Sequence, residues 1–159
     1  MNKVWMTAVL TLFQCGVLYA LEPAFVGSYR LIERNGQALP APFTIQINGS
    51  KCTHKTLSSK LTIGGNGSWS EKIRAQVLCR VVGAFSPEPV VGEDHGQVVM
   101  DKGRRPRIVF SSSELQKGRA TQSATLVGNK LFAVYRESDG KITQFVFERI
   151  SASKSEQNN

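Results

Sequence analysis

The fold is decided by the stretch TQSATLVGNKLFAVYRESDGKITQFVFERI, residues 121–150. It holds three runs rich in β-branched and aromatic residues, separated by Gly128-Asn129 and by Ser138-Asp139-Gly140. Gly, Asn and Asp at these positions are typical of tight hairpin turns. The stretch therefore predicts a meander of three neighbouring antiparallel strands over 121–127, 130–136 and 141–150.

The same pattern extends upstream to Phe25, and no segment has helical apolar spacing for longer than a turn or two. Residues 39–42 hold two prolines and predict an extended connection outside the sheet. Residues 83–96, with Pro, Gly and acidic residues, predict the longest loop. Further strands are predicted at 26–34, 43–47, 51–56, 60–63, 69–82, 97–101 and 107–111.

This pattern predicts an all-β fold, a small antiparallel up-and-down β-barrel of about eight strands with one disulfide. A β-sandwich is the alternative, but a run of hairpins builds a barrel more simply, and closure removes exposed edges. The barrel domain is expected at 21–150, followed by a disordered tail at 151–159 that lacks large apolar side chains. Side chains can fill a barrel of this size or leave room for one small ligand, and a filled interior is the simpler expectation.

Residues 1–20 have the layout of a signal peptide: Lys3, an apolar run and the small residue Ala20. The alternative, a membrane anchor, needs about 20 apolar residues, and the run here is roughly 15. Lipid attachment at Cys15 is a further alternative, although the residues before this cysteine are bulkier than lipoprotein signals prefer. We therefore expect a periplasmic or secreted protein.

Removal of the leader leaves two cysteines, Cys52 and Cys79, in a compartment where disulfides persist. They are expected to pair, and the chain-entropy model assigns a loop of this length about 3.5 kcal/mol. Two separate buried thiols are the alternative.

The first strand, Gly27-Ser28-Tyr29-Arg30-Leu31, and the turn 35–40, Asn-Gly-Gln-Ala-Leu-Pro, resemble the opening of bacterial lipocalin-like exported proteins. The resemblance implies a ligand-binding barrel in which Arg149 of the last strand lies over the Tyr29 ring. The chain departs from the family pattern in three respects: Tyr29 replaces the usual Trp, the tail lacks the helix that packs outside the barrel, and a second lipocalin motif is absent from the sequence.

No arrangement of residues predicts catalysis, and no cofactor is expected. His54 and His95 lie outside any recognisable nucleophile motif. Together with Glu93 or Asp94 they could form a metal set, but the spacing is nonspecific, and no metal site is predicted.

The formal net charge of +8 includes a basic patch at one predicted hairpin tip. Such a patch can contact anionic surfaces, or it can simply keep a sheet edge soluble. Nucleic-acid binding is not expected, because aromatic residues do not alternate with the cations. The patch consists of Lys102, Arg104, Arg105 and Arg107.

These observations favour a noncatalytic, monomeric, lipocalin-like barrel that binds a small apolar ligand or an envelope partner. The alternative is an envelope interaction module, of the inhibitor or immunity type, that acts through the loop at 83–96. An envelope enzyme is a third class that the fold alone does not exclude. The candidate ligand-binding residues are Tyr29, Trp69, Phe110 and Tyr135.

Overall fold

The computed structural model describes residues 21–47, 50–79, 89–101, 103 and 105–151. The predicted leader, and all of the predicted tail except Ser151, lie outside the described residues. Within them, ten strands form one antiparallel sheet, accompanied by a 3-10 helix at Pro23–Phe25 and an α-helix, α1, at Ser113–Lys117. The strands are β1 Gly27–Arg34, β2 Gln37–Ala38, β3 Ala41–Ile47, β4 Ser50–Ile63, β5 Ser68–Cys79, β6 Val90–Asp101, β7 Arg107–Ser112, β8 Thr121–Val127, β9 Lys130–Arg136 and β10 Ile142–Arg149.

Eight of these strands, β1 and β4 to β10, close into a barrel. From β4 to β10 each strand pairs with the next one along the chain, and β1 lies between β10 and β4. The closing contact runs from Gly27 opposite Ile63 to Arg30 opposite Lys60. The predicted up-and-down barrel and its C-terminal meander are confirmed. No helix in the described part of the chain is long and apolar enough to cross a membrane.

Beyond the closing contact, β1 and β4 separate, and β2 and β3 lie along the gap. β2 pairs with the end of β1, and β3 pairs with the first half of β4. The predicted connection at 39–42 is therefore wrong in its second half, because Ala41 and Pro42 belong to β3. Proline lacks an N–H group, but β3 is at the edge of the sheet, where that loss is tolerated.

The predicted disulfide between Cys52 and Cys79 is confirmed. The two residues lie directly opposite each other on β4 and β5, with their Cα atoms 4.1 Å apart. The sequence predicted two separate strands at 51–56 and 60–63, which is wrong, because β4 runs through both. A β-bulge between Thr56 and Ser58 absorbs the change of register that interrupts the alternation.

The prediction of a loop at 83–96 is wrong from Val90 onward, because residues 90–96 belong to β6; residues 83–88 lie outside the described residues. Main-chain pairing with β5 holds this segment, from Ala75 opposite Val90 to Ser68 opposite Gln97. Helix α1 was not predicted, and it begins where the Ser112 hydroxyl accepts a hydrogen bond from the Leu115 N–H group.

One half of the barrel interior is packed with apolar side chains, including the fully buried Tyr29, Leu61, Leu131 and Phe147. The 3-10 helix lies against this half, because Phe25 is buried in the same cluster and its carbonyl accepts a hydrogen bond from the Tyr29 hydroxyl. Arg149 also donates to that hydroxyl, over 2.7 Å, and its guanidinium carbon is 5.1 Å from the Tyr29 ring centre. The predicted Arg149–Tyr29 contact is thus present.

Candidate functional site

The other half of the barrel encloses a cavity of about 440 Å³ that opens to solvent. The expectation of a filled interior therefore holds for only one half. Apolar and aromatic groups form part of the wall: Leu31, Phe43, Ile73, Leu115, Tyr135 and Phe145. The charged groups are Arg34, Glu71, Asp94, Glu114 and Glu137. A concave site with apolar walls and a few polar groups is the usual form of a small-molecule site.

Two β-bulges determine which side chains enter the cavity. Strict alternation from Tyr29 and Leu31 would point Glu33 inward, because successive side chains of a strand face opposite sides. The bulge between Leu31 and Glu33 shifts this pattern by one residue, so that Arg34 lies opposite Phe145 and faces inward. The bulge in β4 has the same effect, and it places Thr56 and His54 on the cavity wall.

Arg34 is held between aromatic rings on the cavity wall. Its guanidinium carbon lies 3.3 Å from the ring centre of Phe43 and 5.3 Å from that of Phe145, and its Nη1 donates to the Thr56 hydroxyl over 3.3 Å. Burial lowers the pKa of Arg34 to about 10, against the opposing charges of Glu137 and Glu71. Arg34 therefore remains a cation near neutral pH, stabilised by cation–π contacts.

His54 packs beside the same cluster, with its ring centre 4.4 Å from that of Phe43. Burial, followed by the charge of Arg34, lowers the pKa of His54, so the imidazole is neutral near neutral pH. His95, the other histidine of the considered metal set, is exposed on the outer face of β6. Across the described residues, no group of three His, Cys, Asp or Glu side chains is arranged to hold a metal ion.

Two carboxyl groups face each other deep in the cavity, Glu71 on β5 and Asp94 on β6. They are directly opposite in the strand register, which places their Cβ atoms about 5 Å apart. Glu71 accepts a 2.6 Å hydrogen bond from Ser59, and Asp94 accepts one of 3.0 Å from Ser112. Burial raises the pKa of Glu71, and the charge of Asp94 raises it further, against the lowering effects of Ser59 and Arg34.

Two further carboxylates lie in the wall closer to solvent, and each has a lysine partner. Glu114 of α1 pairs with Lys117 at 2.7 Å, and Glu137 pairs with Lys141 at 3.8 Å. Both lysines are well exposed. In the described residues, neither Glu71 nor Asp94 forms such an ion pair, which distinguishes the deep carboxyl groups from these two.

Only Tyr135 of the four predicted ligand contacts lines the cavity. Tyr29 and Phe110 are buried in the packed half of the barrel, where they contribute to the core. Trp69 is also buried there, edge-on to Phe110 with ring centres 5.2 Å apart, and it borders a shallower outer depression near Gly96 and His95.

Sequence reasoning missed the charged cavity residues Arg34, Glu71 and Asp94. For Glu71 a signal existed, because it falls between Trp69 and Ile73 on the apolar side of its strand. A carboxylate on the inward, apolar side of a strand destabilises the fold unless it is paired, so its presence there indicates a functional site. For Arg34 no such signal existed, since only the bulge turns its side chain inward.

Two of the four residues in the predicted basic patch, Lys102 and Arg104, lie outside the described residues. Arg105 is exposed, and Arg107 forms an ion pair with Asp101 at 2.6 Å. Nε and Nη2 of Arg107 both contact Oδ2 of Asp101, and these charge-assisted contacts lower the pKa of Asp101. Part of the patch charge is therefore neutralised within the β6–β7 hairpin.

Comparison with known proteins adds one distant structural likeness. No protein-family model matches this chain, and no curated protein matches it. A similar solved structure is a de novo designed fluorescence-activating β-barrel, with a TM-score of 0.37 and 14% sequence identity. The match covers 80% of this chain and 95% of the designed chain. At that similarity neither a family nor an activity is transferred.

Proposed function

We propose that this protein is a noncatalytic, exported, monomeric barrel that binds one small molecule in the open half of its interior. The observation that carries the proposal is the cavity of about 440 Å³ in a barrel whose other half is packed. A fold that needed only stability would gain from filling this space, since burial of apolar surface contributes about 25 cal/mol per Å².

The composition of the wall supports binding of a molecule with both apolar and polar parts. Leu31, Ile73 and Phe145 offer apolar contact, while Gln122 and Thr143 are buried polar groups that can fix orientation. The ligand proposed here is therefore less purely apolar than the one expected from sequence. The alternative is a partner-binding loop at 83–96. Residues 90–96 do not support it, because they belong to β6 in the barrel wall.

The test is saturable binding of the uncharged dye Nile red, followed by its fluorescence. The variant Ile73→Trp places an indole in the cavity wall and is expected to abolish binding. Val91→Trp is the matched control, because Val91 lies on the neighbouring strand and the residue is 54% exposed. It is expected to bind as the unmodified protein does. Circular dichroism and thermal unfolding confirm that each variant is folded.

Failure to detect saturable binding, or equal binding by Ile73→Trp and the unmodified protein, would contradict the proposal. In the first case the cavity does not take up an apolar molecule, and in the second the dye binds elsewhere. Mass spectrometry of protein released gently from the envelope of its host provides a second test, in which a co-purifying small molecule is expected.

A further inference from the structure

The cavity wall carries the opposite charge to the whole protein. The chain has a formal net charge of +8, whereas the cavity is lined by four carboxyl groups and one arginine, with His54 neutral. The two outer carboxylates have lysine partners, but Glu71 and Asp94 lack one within the described residues. The excess of negative charge is therefore concentrated at the deep pair.

From this arrangement we infer that the ligand is a small organic cation, an ammonium group attached to an apolar body, with its charge held between Glu71 and Asp94. The inference rests on the proposed function, because it names the ligand class of the same cavity. Charge-assisted hydrogen bonds from an ammonium group to carboxylates are about twice as strong as neutral ones. The apolar body would lie along Leu31, Ile73 and Phe145.

The deep pair is incomplete without such a cation. Like charges directly opposite on neighbouring strands destabilise a sheet, and burial adds a desolvation cost to an ionised Glu71 carboxyl. Ser59 donates one hydrogen bond to Glu71, and Asp94 accepts one from Ser112 and one from the His95 main-chain N–H group. These bonds lower the cost without neutralising the charge. An ammonium group brings both the missing charge and up to three N–H donors.

The wall of the same cavity already holds one cation, that of Arg34. The Arg34 guanidinium is packed against Phe43, with Phe145 on another side, and both Glu71 and Glu137 act on its charge. Burial lowers the pKa of Arg34 only to about 10, so the guanidinium keeps its charge near neutral pH. Its aromatic contacts show, independently of the carboxyl pair, that this wall can pack against a cation. Tyr135 provides a further aromatic ring on the wall.

An anionic ligand on Arg34 is the competing inference, and the geometry favours it less. The aromatic packing covers Arg34, and its Nε atom, which has no hydrogen-bond partner, is fully enclosed, as is Nδ1 of His54. A carboxylate ligand would also enter a cavity with four acidic groups in its wall. Repulsion from these groups disfavours it.

The experiment compares three probes of nearly equal shape as competitors of Nile red: phenylbutylamine, phenylbutanol and phenylbutyrate. The amine is expected to displace the dye at a concentration at least about tenfold lower than the alcohol, the usual gain from a hydrogen bond to a charged group. The acid is expected to be the weakest. The substitutions Glu71→Gln and Asp94→Asn should each remove most of the amine's advantage over the alcohol.

The matched control is Glu93→Gln, which makes the same charge change one residue from Asp94. Glu93 is exposed on the outer face of β6 and pairs with Lys72 at 3.7 Å. This variant should retain the full preference for the amine. If the preference for the amine falls as much in Glu93→Gln as in Glu71→Gln and Asp94→Asn, it reflects the overall charge of the protein. That result would overturn the inference.

Equal displacement by amine and alcohol, or stronger displacement by the acid, would also overturn the inference. In those cases Nile red binding and its loss in Ile73→Trp would still support a small-molecule barrel. Absence of dye binding would instead remove the proposed function itself. The two failures are therefore distinguishable.

Discussion

Removal of the disulfide between Cys52 and Cys79 is expected to cost a large part of the stability of this barrel. The bond closes a loop with a sequence separation of 27 residues. The chain-entropy model assigns such a loop a loss of denatured-state entropy equivalent to about 3.5 kcal/mol at 25 °C. Small domains have a free energy of unfolding of about 5 to 15 kcal/mol, so the loss should be plain in any denaturation curve.

The position of the bond adds a local expectation. It joins β4 to β5 in the part of β4 that pairs with β3, away from the residues that contact β1. Without the bond, the ladder between β4 and β5 retains its other pairs, and the barrel closure is not directly affected. Faster amide exchange is therefore expected first in β3 and the first half of β4.

Urea unfolding of the oxidised protein, the protein reduced with dithiothreitol and the double variant Cys52→Ala/Cys79→Ala measures the effect. The reduced protein isolates the covalent bond, because both sulfur atoms remain. The double variant should lose somewhat more, since Cys52 is buried and its truncation also removes packing. A difference below about 1 kcal/mol between oxidised and reduced protein would refute the argument from loop entropy.

Two further predictions concern the barrel wall. Gly96→Ala should destabilise the protein by about 3 kcal/mol in urea unfolding, because its Cβ atom would lie 1.8 Å from the Ser111 carbonyl oxygen. Gly92→Ala, with open space around the new Cβ atom, should leave stability nearly unchanged, and equal effects would contradict this reading. Glu71→Gln should be more stable than the unmodified protein at alkaline pH, and this advantage should vanish as the pH falls towards 4.5, the ordinary pKa of glutamate. The sign follows because a raised pKa means that the folded protein binds the Glu71 proton more tightly than the unfolded chain does. The stability of the unmodified protein therefore falls as the pH rises from the ordinary pKa of glutamate to the raised pKa of Glu71. An advantage of Glu71→Gln that is the same at every pH would contradict this prediction.

The strand positions could be predicted well where alternation and turn residues agree. The meander at 121–150 satisfies both, and the structure has its three strands within a residue of the predicted bounds. At 90–96 they disagree, because Gly92, Glu93 and Asp94 have low β-propensity. Pairing with β5 on one side and β7 on the other keeps this segment in a strand despite its low β-propensity.

The candidate site was less accessible to sequence reasoning for a geometric reason. Aromatic residues were the natural choice for a ligand pocket, yet the barrel uses Tyr29 and Phe110 to fill its packed half. Whether an inward residue belongs to the core or to the cavity depends on its height along the barrel axis. That height is set by how strands are staggered against their neighbours, which no single strand encodes.

The sequence by itself determined the all-β class and the run of hairpins, because these depend on local propensity and turn chemistry. It also determined the pairing of Cys52 with Cys79, because these are the two cysteines that remain outside the predicted leader. Only the tertiary structure decided that half of the interior stays open and that Arg34 and His54 face it. The physical reason is that a bulge is a property of two paired strands, since one extra residue is visible only against the partner that lacks it. The inward or outward direction of every later side chain follows from that pairing.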